Sequence, residues 1–235
     1  MSSEQRVQCE WGEAGAARFC EWADVVVVVD VLSFSTCVDI ATSAGAHVFP
    51  LPWRDGNAEA FAAARDAVLA MPRGESGFTL SPGSFSTVRA GDRVVLPSPN
   101  GARVTIVAAP APVLVGCLRN ARAVAKAAVQ FGPRIAVIPA GERWPDNSLR
   151  PCVADLIGVG AIVAELELEL SLEAQAAKAL FGHFQAQLGP ALRDSVSGRE
   201  LIGRGYPGDV DLAAQLNVSQ TVPALQGDCL SALKA

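Results

Sequence analysis

The chain has 235 residues, half of them hydrophobic and 18% charged, with a formal net charge of −5 and a mean hydropathy of +0.29. A chain of this length buries roughly 70–75% of its unfolded surface, and this much apolar content at so low a net charge excludes disorder. Twenty-four acidic against 19 basic residues exclude a protein that tracks a phosphate backbone, so no nucleic-acid partner is expected. The longest uncharged apolar run, Val104 to Leu118, is 15 residues long and contains Pro110 and Pro112. It falls short of the ~20 residues that a bilayer demands, so no membrane partner is expected. The start, MSSEQRVQCEWGEAG, shows no basic region followed by an apolar one, so a signal peptide is not expected. Six cysteines, at 9, 20, 37, 117, 152 and 229, form no CxxC pair, and two histidines cannot complete a zinc site. They read as reduced thiols in a cytoplasmic protein. Residues 1–235 are expected to form one domain, or two tightly packed lobes, and a homodimer is left open.

In chain order, the first strong signal is Val25 to Val29, five β-branched residues closed by Asp30. A run too apolar to alternate is a strand buried on both faces, which implies a parallel, helix-covered sheet. The polar loop Val-Leu-Ser-Phe-Ser-Thr follows, and then a helix from Cys37 that stops at Gly45. Asn57 to Met71 is expected as an alanine-rich surface helix, and Met71 to Thr87 as a long loop of the kind that forms lids. Arg93 to Leu96 is a strand leading into the turn Ser98-Pro-Asn-Gly101, whose Asn-Gly can take a positive φ.

The strand-loop-helix grammar returns twice. Pro112 to Gly116 leads through Cys-Leu-Arg-Asn120 into the helix Ala121 to Gln130, and Arg134 to Ile138 leads through Pro-Ala-Gly-Glu-Arg-Trp into a helix starting near Val153. Such loops converge at the carboxyl ends of the strands, where an α/β sheet builds its site, so a three-layer α/β/α fold with a mainly parallel or mixed sheet is expected. Glu165 to Leu170 is expected as the end of the preceding helix. Ser171 is expected to cap a helix running to Leu188 and stopped by Gly189-Pro190, with Leu172, Leu180, Phe181, Phe184 and Leu188 on one side.

Several motifs fail on inspection. Gly203-Arg-Gly-Tyr-Pro-Gly208 fits the dinucleotide pattern, but no strand precedes it. Asp209-Val-Asp211 is read as helix capping, and no nucleophile elbow, zinc-protease or Walker sequence occurs. What remains is a set of hard oxygen ligands and donors at strand ends: Asp30, Ser35, Thr36, Asn100, Asn120, Glu142 and Asp155. Carboxylates with amides and hydroxyls suit Mg²⁺ and phosphate rather than zinc. Each also has a structural reading: Asp30 as a cap, Asn100 as a turn residue, Asp155 as a first-turn charge favoured by the helix dipole. Cys37 is read as a small buried hydrophobe rather than an activated thiol.

Six segments occur in order: Val29-Asp-Val-Leu-Ser-Phe-Ser-Thr36, Ser98-Pro-Asn-Gly-Ala-Arg103, Val115-Gly-Cys-Leu-Arg-Asn-Ala-Arg-Ala-Val-Ala125, Pro139-Ala-Gly-Glu142, Asp155-Leu-Ile-Gly-Val-Gly-Ala-Ile-Val163 and Ser197-Gly-Arg199. In this order they resemble the 2-phosphosulfolactate phosphatase (ComB) family, from about Asp24 to Leu225. The resemblance implies a Mg²⁺-dependent phosphatase acting on a small phosphorylated 2-hydroxycarboxylic acid. It carries Asp30, Ser35, Thr36, Asn100, Asn120 and Glu142 as catalytic residues. Asp30, Glu142 and Asp155 are carried as metal ligands, and Ser33, Gly101, Arg119 and Arg199 as substrate contacts. Three positions depart from the family's pattern: Ser33 stands in place of an arginine, Ala154 of a glutamate and Ser197 of a histidine. Losing a bidentate cation at position 33 predicts a preference for esters without a sulfonate, with Arg103, Arg119, Arg122, Arg143 and Arg199 left as anion donors. A non-catalytic member that only binds a small anion is the alternative.

Overall fold

A computed structural model of the protein describes residues 6–52 and 56–233. Its strands are β1 (Val7–Cys9), β2 (Val25–Val29), β3 (His47–Leu51), β4 (Val68–Leu69), β5 (Arg93–Pro97), β6 (Val113–Gly116), β7 (Ile135–Pro139), β8 (Glu142–Arg143), β9 (Leu149–Arg150), β10 (Pro223–Gln226) and β11 (Cys229–Ala232). Its α-helices are α1 (Gly12–Phe19), α2 (Phe34–Ser43), α3 (Ala58–Ala63), α4 (Gly101–Ala108), α5 (Ala121–Phe131), α6 (Val153–Val163), α7 (Leu172–Phe184), α8 (Leu188–Asp194), α9 (Val196–Gly203) and α10 (Pro207–Ala213). Nine strands form one mixed sheet in the order β1-β7-β2-β6-β10-β11-β3-β5-β4, while β8 and β9 pair separately as a hairpin.

The five valines of β2 show why the sheet is covered on both faces. Side chains alternate along a strand, so Val25, Val27 and Val29 pack with Val124 of α5 and Ile157 of α6, while Val26 and Val28 pack with Ala16 and Phe19 of α1 and Val104 and Ala108 of α4. The other half of the sheet repeats this, with Val48, Val94 and Leu96 against α2 and with Phe49 and Val95 against Ala62 of α3. The architecture is three-layer α/β/α.

The parallel set β1, β7, β2 and β6 meets the parallel set β3, β5 and β4 through the antiparallel pair β10–β11. Three successive antiparallel pairings reverse the strand direction between the two sets. On a flat sheet the carboxyl ends of β2 and β5 would lie at opposite edges, yet the residues that follow them are hydrogen-bonded to each other. The β10–β11 pair joins the two sets through single residue pairs, Ala224 with Leu114 and Leu230 with Val48, and the segment after β5 carries Gly101 to Asp30 across this change of direction.

The structure corrects several expectations. The helix expected from Cys37 begins at Phe34, because Ser35 and Thr36 turn their hydroxyls back on the strand end and let the helix start at once. The expected helix Asn57–Met71 is only six residues; Asp66 takes a positive φ and the chain turns into β4, which pairs with β5. The Asn100-Gly101 turn has no positive φ and opens α4 instead. Glu165–Leu170 does not continue a helix: the Glu169 carbonyl accepts from the Arg6 and Val7 amides, and Leu170 bridges Val7, so the segment extends along the β1 edge. Ser171 does cap α7, but Gly189-Pro190 stops nothing, since proline is accommodated in the first turn of α8. Leu172, expected on the buried side of that helix, is exposed. Strands β1, β3, β4, β8, β9, β10 and β11 and helices α1, α4, α8 and α9 have no counterpart in the expectation, and the helix that Asp209-Val-Asp211 is expected to cap, α10, already starts at Pro207.

Candidate active site

Asp30 follows β2 directly and is buried. Its Oδ2 accepts from the Gly101 amide at 2.8 Å, and its Oδ1 accepts from the Phe34 amide at 3.3 Å. The Ser35 hydroxyl accepts from the Asp30 amide at 2.9 Å. Each contact is a strand-end or helix-start group that would otherwise lack a partner. Burial raises the Asp30 carboxyl to about 6, against the pull of the Gly101 and Phe34 amides and the Arg73 charge.

Glu142 opens the β8–β9 hairpin, just past β7, the neighbour of β2. Its Oε2 accepts from the Asn100 side-chain amide at 2.9 Å. Burial and then the nearby Asp30 charge push the Glu142 carboxyl up to about 7, with the Ser197 hydroxyl working the other way. Asp30, Asn100 and Glu142 thus arrive from the ends of three strands and line one cleft of about 540 Å³. Ser33, Ser98 and Ser197 also line it, as do Arg73, Arg143, Arg150 and Arg204. Four arginines and three acids, Asp30, Glu142 and Glu200, line it, and Asp209 and Glu13 pair with Arg73 and Arg143. What the cleft offers an anion is the guanidinium donors that these pairings leave open.

The remaining candidates lie outside this cleft. Asp155 is buried beneath it, with Oδ1 accepting from the Val31 amide at 2.8 Å and Oδ2 from the Gly141 amide at 2.9 Å. It ties the loop after β2 to the loop after β7, and burial together with the Asp30 charge raises its carboxyl well above the usual range. Ser35 and Thr36 are fully buried, and the Thr36 hydroxyl donates to the Val31 carbonyl at 2.8 Å. Asn120 is fully buried too, accepting from the Cys117 amide and donating to the Val115 and Thr221 carbonyls, which anchors the segment before β10. Arg119 pairs with Asp39 at 2.9 Å, and Arg199 donates to the Asp194 carbonyl. Of the five arginines left as anion donors, only Arg143 lines the cleft; Arg103 pairs with Glu13 and Arg122 with Glu165. Gly101 contributes its amide. A Cβ there would stand 2.4 Å from the Phe34 ring and 2.7 Å from Asp30 Oδ2, so close approach, not a positive φ, requires glycine.

Sequence reasoning missed Arg73, Arg150, Trp144 and Arg204. The Pro145-Asp146-Asn147 run is a turn signal that could have revealed the β8–β9 hairpin and with it Trp144 and Arg150. Nothing local marks Arg73. It comes from the 71–87 loop, expected as a lid, whose Leu80 also lines the cleft and which ends in the 3₁₀ turn Pro82–Thr87. Gly203–Gly208 joins α9 to α10 with no strand before it, which removes a dinucleotide loop. Cys37 is buried in the core and burial pushes its thiol well above the usual range; all six cysteines are free.

The family model for 2-phosphosulpholactate phosphatase matches residues 16–228. A 2-phosphosulfolactate phosphatase of Methanothermobacter thermautotrophicus is 28% identical over 209 residues, covering 86% of this chain and 87% of its own. A protein of Carboxydothermus hydrogenoformans named "Probable 2-phosphosulfolactate phosphatase" is 29% identical over 215 residues, covering 84% of each. The residues that the family model matches, 16–228, include every strand end that lines the cleft. The chain belongs to the 2-phosphosulpholactate phosphatase family.

Proposed function

We propose that the protein hydrolyses the phosphate ester of a small 2-hydroxycarboxylic acid, 2-phosphosulfolactate or a relative, with Mg²⁺. It is a phosphoric monoester hydrolase by family. The observation that carries the substrate reading is the meeting of Asp30, Asn100 and Glu142 in a cleft that also holds four arginines.

The donor set suits the cation. No histidine or cysteine lines the cleft, and two raised carboxyls share it, an arrangement that a divalent cation relieves. Among the described residues no group of three or more His, Cys, Asp or Glu is arranged to enclose a metal. The protein would therefore supply only part of the coordination of a bound cation. Asp30 and Glu142 would hold it. When bound, Mg²⁺ supplies neutralisation of phosphoryl charge and a more acidic water. The Gly101 and Phe34 amides fix Asp30, and the Asn100 amide fixes Glu142, so neither carboxylate has to be ordered as substrate arrives. Asp155 acts one layer below, holding the two loops that carry these ligands. Hydrolysis breaks the P–O bond to the hydroxy acid, adds water to phosphorus and returns a proton to the leaving alkoxide.

Six free cysteines and the absence of a helix long and apolar enough to cross a membrane among the described residues support action in the cytoplasm. The test is phosphate release from a panel of phosphorylated hydroxy acids, with and without chelator. Turnover of 2-phosphosulfolactate or 2-phospholactate that stops in chelator and returns with Mg²⁺ is the expected result. Binding without release would establish the anion-binding alternative.

A further inference from the structure

Four arginines line the cleft, and they differ in what is left of their hydrogen-bonding capacity. Arg143 has all three guanidinium nitrogens engaged, by the Pro99 and Asn147 carbonyls and by Glu13. Arg150 is taken bidentately by Glu200, at 3.1 and 3.0 Å. Arg204 is exposed, and among the described residues no side chain holds its guanidinium, so fixing it on a ligand would cost rotamer entropy. Arg73 and Arg150 are both held with two donors engaged, but those of Arg150 go to the two oxygens of one carboxylate, whereas those of Arg73 go to one carboxylate oxygen and one neutral hydroxyl. Arg73 Nη1 donates to Asp209 Oδ2, its Nη2 donates to the Ser33 hydroxyl at 2.9 Å, and its guanidinium carbon stands 5.2 Å from the centroid of the Tyr206 ring. A guanidinium has five N–H donors, so about three remain.

The ordinary reading is a salt bridge that pins the 71–87 loop to α10. Asp209 performs that pinning without Arg73, because its Oδ1 accepts from the Ser81 hydroxyl of the same loop at 2.6 Å. The second Arg73 contact goes to a neutral hydroxyl, three residues after Asp30. An arginine braced by a buried carboxylate, close to an aromatic ring and left with open donors beside a phosphate site is pre-organised to receive a planar carboxylate or a sulfonate.

We infer that Arg73 grips the non-reacting anion of the substrate, the carboxylate or sulfonate next to the phosphorylated carbon, with Ser33 and Asp209 fixing the guanidinium plane. This rests on the phosphatase reading above. It also relocates a function: position 33, where an arginine is absent, accepts a hydrogen bond from an arginine supplied by a distant loop.

The experiment compares 2-phospholactate, which carries a second anion, with phenyl phosphate, which does not. The readout is the ratio of their kcat/KM values within one variant, so general damage to the site cancels. Arg73→Gln is expected to lower this ratio at least tenfold, chiefly through KM for 2-phospholactate, and Arg73→Lys to fall between it and the wild type. A ratio within threefold of the wild-type value in folded Arg73→Gln overturns the assignment, as does an equal fall for both esters, which would place Arg73 on the phosphoryl group. Should Arg73→Gln not fold, Arg73→Lys is judged by the same ratio, with a threefold fall required. If the wild type turns over neither ester, the phosphatase reading fails by itself, and the Arg73 assignment is then decided by calorimetric binding of the two esters under the same criterion.

Discussion

The Gly101 amide donates to Oδ2 of Asp30 across 2.8 Å, although the strands that these two residues follow lie in sets running in opposite directions. With the bond from Asn100 to Glu142, it joins the two halves of the sheet at the cleft. It leaves no room for a side chain at position 101, and it fixes the carboxylate on which the proposed chemistry depends.

Gly101→Ala should therefore damage both stability and turnover. The new methyl would stand 2.4 Å from the Phe34 ring and 2.7 Å from Asp30 Oδ2, and neither is a flexible chain end. Overpacking of this kind costs about 1–3 kcal/mol, and shifting Asp30 should lower kcat more than KM rises. Urea unfolding and steady-state kinetics check this; wild-type values in both would show that the two halves do not meet as described.

Asp30→Asn should lower kcat by at least about a hundredfold, since an amide oxygen is a poor replacement for a carboxylate ligand. Both Asp30 oxygens accept backbone amides, so the new NH₂ must face a donor, and a stability loss of about 1–3 kcal/mol is expected as well. The assay belongs at a temperature where the variant is folded by circular dichroism. A near-normal rate would reduce Asp30 to a loop anchor.

The metal-free protein should lose stability as pH rises from 5 to 8. Burial raises Asp30 to about 6 and Glu142 to about 7. Both groups bind protons more tightly folded than unfolded, so their contribution is complete below about pH 4 and is lost as pH passes through the folded values. The groups held low, Asp24 and Asp146, titrate below this window and do not reverse the trend. The expected loss is on the order of 2–4 kcal/mol by urea unfolding in chelator, and excess Mg²⁺ should restore more stability at pH 8 than at pH 5. A flat profile in chelator would mean that the two carboxyls are not perturbed.

Cys37→Ala should retain phosphatase activity within about tenfold. The thiol is buried in the core, does not line the cleft and is held protonated by burial, so it has no thiolate to offer. Specific loss of turnover at normal stability would reopen a cysteine nucleophile.

Asp155→Ala should cost stability and activity together, because two backbone amides, of Val31 and Gly141, lose their acceptor in a buried place. Unsatisfied buried donors cost about 1–3 kcal/mol each. If Asp155 instead touched the cation, the variant would lose Mg²⁺ affinity with its melting temperature unchanged, and calorimetric Mg²⁺ titration separates the two.

What the amino-acid order determined is what lies within one strand-loop-helix unit. Five consecutive valines favour a strand covered on both faces, because β-branched side chains are restricted in a helix and pack well on a pleated surface. Asp30, Asn100 and Glu142 stand just past strands, where backbone amides are open to be accepted and side chains can reach a shared rim. The grammar gave Ser35, Thr36, Asn120 and Asp155 the same standing, since their offsets from strands are equally favourable, and the sequence contains nothing that separates a side chain turned into the cleft from one turned back on the backbone. That choice is made by packing: the segment before β10 takes the Asn120 amide, and the loops after β2 and β7 occupy both oxygens of Asp155. The meeting of the two strand sets, the β8–β9 hairpin and the reach of Arg73 across to Ser33 are likewise decided by how the layers close, because a side chain's partner 40 or 136 positions away leaves no periodicity to read.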